Sequence, residues 1–181
     1  NKKIGITVGY FHPRKQINKI IKEWSNLDEE WHLIVLGNYD RNSEQDLDYI
    51  KNIKELIKSL NLENRITIDY AKDVKPYLMI SDFFVFASKN EGLPNALLEA
   101  MSFGLPSLIL KQDWVPEELI KHNYTGFIID SIENLSQDLN ELSFDQERFS
   151  RIGNMAMQKV QNEYDIKLVS KKFLKLLDIK T

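Results

Sequence analysis

Apolar residues fall along this chain in short blocks, each too brief for a helix and rich in the β-branched and aromatic side chains that suit a buried, pleated surface. The blocks are residues 4–9 (IGITVG), 31–36 (WHLIVL), 65–69 (RITID), 83–86 (FFVF), 107–110 (SLIL) and 126–129 (GFII). Between them the pattern changes to helical period. Ile17, Ile20, Ile21 and Trp24 share one side of a helix over 15–27. Leu47, Ile50, Ile53, Leu56, Ile57 and Leu60 line the longest helix, over 43–60. Asp73 is placed to cap a short helix to Ile80, bent near Pro76. Pro94 opens a further helix that Gly104 and Pro106 stop, and Pro116 begins another over 116–122. Helices then dominate, over 131–142, 145–162 and 165–178, the last ending at Asp178.

Strands alternating with helices predict an α/β fold: a Rossmann-like, doubly wound parallel sheet of about six strands, with helices on both faces and further helices at the C-terminus. Residues 1–181 read as one domain. With the strand order 3-2-1-4-5-6, the topological switch lies between strands one and four, where such sheets bind ligands at the strands' carboxyl ends. Arg14 and Lys15 follow strand one and Glu91 follows strand four, so the topology predicts that they share one crevice.

Composition narrows the function. Lys and Arg number 24 against 27 Asp and Glu, a net charge of −3, so no basic surface points to nucleic acid. The absence of cysteine excludes disulfides and thiolate metal sites. No apolar run approaches the roughly 20 residues that span a bilayer, and no leader is visible. The chain opens on Asn1, with a strand almost at once, and reads as a piece of a longer protein. His12, His32 and His122 lack metal-ligand spacing, and no Ser-His-Asp set or P-loop occurs.

The candidate chemistry lies in residues 88–107, SKNEGLPNALLEAMSFGLPS. Glu91 precedes the helix and Glu99 lies roughly one turn inside it, at about 1.5 Å per residue. Asn95, Glu99 and Ser102 share one face. One reading is a solvated face, with Glu99 favouring the positive helix end. The other is that N–H groups of Gly92, Leu93 and Asn95 meet an anion, flanked by hydroxyls that Glu91 and Glu99 accept. Arg14 and Lys15 would then bring positive charge to a diphosphate, or else are solvated charges at a helix start.

Glu91 and Glu99, separated by seven residues, with S-x-x-E-G before and E-A-M-x-x-G-x-P after, resemble the E-x7-E signature of retaining, nucleotide-sugar-dependent glycosyltransferases of GT-B architecture, family 4 or group 1. The resemblance covers roughly residues 4–165. It implies that this is the C-terminal, donor-binding domain, the acceptor-binding N-terminal domain lying outside the sequence. In the family's V-G-R-x-x-x-x-K-G, Gly9 and Lys15 match, Tyr10 replaces the arginine and Gln16 the second glycine, leaving Arg14 as a local substitute. Asp113-Trp114-Val115-Pro116-Glu117 resembles G-G-x-P-E with both glycines replaced, and Tyr124-Thr125-Gly126 a structural x-x-G.

By resemblance Glu91 and Lys15 are the catalytic pair. Glu91 holds the transferred sugar and Lys15 the diphosphate. Arg14, Gly9, Gly92, Leu93, Asn95 and Glu99 bind the donor, Glu99 through the ribose hydroxyls. Tyr70, with Ala71, Lys72 and Asp73, lies near the nucleobase, although Asp73 and Asp82 read first as capping residues. The donor is a UDP- or GDP-sugar, without a tightly bound cofactor or metal. The acceptor is a sugar or a lipid-linked sugar, in polysaccharide or glycolipid synthesis of bacterial type. This implies a cytoplasmic enzyme, with room for peripheral association at the membrane's inner face. A nucleotide-sugar epimerase of the same architecture and a non-catalytic nucleotide-binding or interaction domain remain open alternatives.

Overall fold

The computed structural model describes residues 2–70, 72–143 and 145–177. Ala71 and Asp178, named above, lie outside them. Strands β1 (Lys3–Val8), β2 (Trp31–Leu36), β3 (Ile66–Asp69), β4 (Phe83–Phe86), β5 (Ser107–Leu110) and β6 (Phe127–Ile129) form one parallel sheet. Its order is β3-β2-β1-β4-β5-β6, the expected arrangement with its switch between β1 and β4. The helices are α1 (Ile17–Trp24), α2 (Glu44–Ser59), α3 (Lys75–Met79), α4 (Asn95–Ser102), α5 (Leu135–Ser143), α6 (Gln146–Glu163) and α7 (Ile166–Leu176).

Side-chain alternation along the strands separates two cores. On one face Leu33, Val35, Phe83 and Val85 pack against Ile17, Ile20, Ile21 and Trp24 of α1, Ile50 and Ile53 of α2, and Leu139 of α5. On the other, Ile6, Ile34, Phe84 and Phe86 meet Leu78 of α3, Leu97 and Met101 of α4, and Ala156 of α6. Gly5 is required by the first face. A Cβ there would stand 2.6 Å from Trp24 and 2.7 Å from Phe83, whose rings stack at 6.1 Å.

Three local expectations change. The helix over 15–27 begins only at Ile17, because Pro13–Lys15 forms a 3-10 turn and Gln16 takes a left-handed conformation. Pro76 does not bend α3; it sits in the first turn, where proline fits, and Asp73 accepts from the Lys75 N–H at 3.1 Å. No helix forms over 116–122. Leu119 and Ile120 bond back to the Pro116 carbonyl, and the chain then reverses at Asn123, with φ 62°.

Helix α4 ends in a Schellman motif, with the Gly104 N–H on the Met101 carbonyl, the Leu105 N–H on the Ala100 carbonyl, and Gly104 at φ 72°. The terminal helices divide sharply. Ile152, Ala156 and Val160 of α6 are buried, whereas α7 buries no residue and exposes Ile166, Val169, Phe173 and Leu176. Among the described residues no helix is long and apolar enough to cross a membrane.

Candidate functional site

The loops that follow β1 and β4 meet at the switch point. Hydrogen bonds continue past the strand ends: the Gly9 N–H donates to the Leu36 carbonyl (3.0 Å) and the Phe11 N–H to the Asn38 carbonyl (2.7 Å). A Cβ on Gly37 would lie 1.8 Å from the Gly9 carbonyl oxygen, so the loops after β1 and β2 start with their backbones in contact. A Cβ on Gly9 would crowd the Lys15 side chain at 3.0 Å. The absent side chain therefore lets Lys15 lie back along the loop.

Lys15 Nζ lies 2.5 Å from Glu91 Oε1, across 76 residues of sequence, and each side chain is 13% exposed. The Ser88 hydroxyl donates to the same oxygen at 2.5 Å. The ammonium also sits over the Phe86 ring, 5.4 Å from its centre. Burial pushes the Glu91 carboxyl up, but the bonds from Lys15 and Ser88 and the charges of Lys15 and Arg14 outweigh it, so the group is held below the usual carboxylate range. Glu91 is thus ionised at neutral pH and firmly placed.

Pro94 stands immediately before α4 and has no N–H to leave unsatisfied. The Asn95 N–H turns onto the Leu93 carbonyl at 2.9 Å. Among the described residues, Gly92 and Leu93 show no hydrogen bond from their N–H groups. Nothing lies within 4 Å of a Cβ built on Gly92, and its φ is not of the left-handed kind. Neither packing nor backbone strain demands glycine here; what it leaves is open approach to the backbone. Asn95 and Glu99 are exposed on one face of α4, one turn apart. Arg14 is exposed beside this loop, its carbonyl accepting from the Lys89 N–H at 2.9 Å.

Tyr70 borders the site beyond β3, packed on Phe11 (5.6 Å between ring centres) and Tyr39 (5.5 Å). Burial first, then Tyr39 and Asp69, raises its hydroxyl above the ordinary range. Asp69 fixes the same strand end, accepting from the Tyr70 N–H and the Tyr77 hydroxyl. The histidines serve the fold: the Nδ1 atoms of His12 and His122 accept from the Arg14 and Ile128 N–H groups, and His32 bonds Thr67. No group of three or more His, Asp or Glu is gathered as a metal ligand set among the described residues. Size alone would mislead. A roomier concavity, about 700 Å³, lies at the opposite end of the sheet, lined in part by the first residues of β1, β2 and β4. Charge and topology select the switch point instead.

A family model described as Glycosyl transferases group 1 matches residues 1–159. The chain belongs to that family. It is 26% identical over 177 residues to the amylovoran biosynthesis glycosyltransferase AmsD of Erwinia amylovora, covering 96% of this chain and 47% of AmsD. The chain spans about half the length of the curated relatives it matches first. In fold it resembles Anabaena HepE in complex with UDP (TM-score 0.89, 20% identity, 98% of this chain and 49% of that one). It also resembles the C-terminal domain of the group 1 glycosyl transferase LpcC of Francisella tularensis (TM-score 0.79, 23% identity, 91% of this chain and 88% of that one).

Against the group 1 pattern, the departures now have a geometry. Tyr10, at the arginine position, is raised by burial and by Asp46 and Asp40, so it is a neutral phenol facing carboxylates at the start of α2. Gln16, at a glycine position, has the backbone that glycine tolerates best (φ 54°, ψ 28°). Trp114, at another, packs edge-on against Phe86 at 5.6 Å and donates its indole N–H to the Ser88 carbonyl at 3.0 Å. Ser88, Gln16 and Trp114 are site contributors that residue chemistry alone does not single out. The signal available for the last two is the missing glycine.

Proposed function

We propose that this chain is the donor-binding half of a retaining, two-domain glycosyltransferase that moves a sugar from a nucleoside diphosphate to an acceptor hydroxyl. The observation that carries this reading is the meeting of Lys15 and Glu91 at the switch point, in front of the α4 N-terminus.

A diphosphate approaching this point meets the Lys15 ammonium, the Arg14 guanidinium and the N–H groups of Gly92 and Leu93. Together they stabilise the negative charge that grows as the bond from the anomeric carbon to the phosphate oxygen breaks. Its electron pair stays with the departing nucleoside diphosphate. The acceptor oxygen forms the new bond on the same face of the sugar, and its proton passes to a departing phosphate oxygen. Glu91, already ionised, accepts hydrogen bonds from sugar hydroxyls, and Glu99, exposed one turn into α4, accepts from the ribose. Tyr70 and its aromatic neighbours border the nucleobase.

The acceptor site belongs to an N-terminal half outside this sequence, and the unburied apolar side of α7 is the surface on which that half docks. The AmsD likeness supports a polysaccharide or glycolipid product; a lipid-linked acceptor would bring the full-length protein to the membrane's inner face.

Calorimetric titration of the chain with UDP, GDP and ADP tests the reading. One of them binds, and Glu99→Ala weakens it roughly 10- to 100-fold, from about 1.5–3 kcal/mol for hydrogen bonds to a charged acceptor. Failure of all three to bind would favour an interaction domain instead.

A further inference from the structure

We infer that Gln16 and Trp114 are positioning residues: their side-chain N–H groups clamp consecutive carbonyls of the loop that carries Glu91 and hold it against Lys15. This rests on reading that loop as the donor site.

Residues 87–91 are gripped almost one by one. Gln16 Nε2 donates to the Ala87 carbonyl at 2.7 Å and Trp114 Nε1 to the Ser88 carbonyl at 3.0 Å. The Lys89 N–H donates to Arg14, and Glu91 receives Lys15 and the Ser88 hydroxyl. Ala87 and Ser88 are 2% and 1% exposed, so their carbonyls would be poorly served by water in place of these donors.

Both donors stand where the group 1 pattern has glycine. At Gln16 the substitution opposes the local backbone, because a residue with a Cβ is strained at φ 54°. The side chain is nevertheless 4% exposed and aimed at Ala87, and its bond offsets that strain. Trp114 reaches the next carbonyl from the loop after β5, and its ring also supports Phe86, over which Lys15 lies. Two substitutions about 100 residues apart therefore converge on neighbouring peptide groups of one loop.

The variants Gln16→Met and Trp114→Phe keep most of the bulk and remove the N–H donors. Gln16→Gly also removes the donor but relieves the backbone, so it folds without strain. The readouts are the Glu91 carboxyl titration by NMR, amide exchange over 88–91, and UDP affinity of the chain. We expect Glu91 to titrate higher in each variant and highest in the Met/Phe pair, with faster exchange and a several-fold loss of UDP affinity. A role confined to stability would lower the unfolding midpoint and leave the Glu91 titration where it is. An unchanged titration in folded Gln16→Gly and Trp114→Phe overturns the clamp. Absence of UDP binding by the unaltered chain counts against UDP as donor, while the titration still decides the clamp.

Discussion

Replacing Lys15 with methionine removes the ammonium from Glu91 but keeps the length of side chain that lies beside Gly9. Two unit charges 2.5 Å apart attract by about 7 kcal/mol at an effective dielectric of about 20. Desolvation of two ions, each only 13% exposed, takes back several kcal/mol. What remains resembles a charge-assisted hydrogen bond, about 1.5–3 kcal/mol, and Lys15→Met loses it at pH 7. The sign with pH follows from Glu91. Its folded-state carboxyl lies below the unfolded value of about 4.3, so the stabilisation is complete above that value and disappears as pH falls through the folded one. Urea unfolding of both proteins from pH 7 down to pH 3 should show the gap narrowing as Glu91 protonates. In calorimetry at pH 7, the variant should lose far more affinity for UDP than for uridine. A gap that stays constant with pH, or equal losses for nucleotide and nucleoside, would refute the pairing as an electrostatic device aimed at phosphate.

Gly153→Ala would place a Cβ 2.1 Å from the Gly104 carbonyl, where α6 crosses the end of α4; a loss of at least about 1–3 kcal/mol is expected by urea denaturation. Glu133 titrates at about 2, held down first by the Ser131 hydroxyl and then by Lys19. Ser131→Ala should raise it in an NMR titration, and the stability it contributes, present above the unfolded value and lost as pH falls, should then fade at higher pH. The chain alone should show no transferase turnover and gain it when joined to its N-terminal half, because orienting an acceptor hydroxyl supplies several kcal/mol of the barrier reduction; comparable turnover by both would sink the division of labour.

The sheet was legible because β2, β4 and β5 are buried almost throughout and so read as unbroken apolar blocks, and the alternation of strands with helices dictates the order. Residues 116–122 were not. Pro116, Glu117 and Glu118 carry a helix-start signature, but Leu119 and Ile120 alone make too short an apolar stripe to extend it. Lys15 and Glu91 were legible as members of one crevice, through topology. Their direct pairing was not, because the group 1 pattern assigns the two residues to different parts of the ligand. Gln16 was hidden for a different reason: its left-handed backbone is announced by glycine, and here the glycine is gone.

Gly9 and Gly37 touch main chain to main chain, with no side chain between them to trim or enlarge. On the proposed reading of the crevice as a donor site, that contact separates its fixed part from its adjustable one. The floor is inherited from the sheet, and at Gly37 any side chain would drive a Cβ into the Gly9 carbonyl. The rim at Tyr10, Tyr70 and Leu93 is exposed, and on the same reading it is there that selectivity can be rewritten.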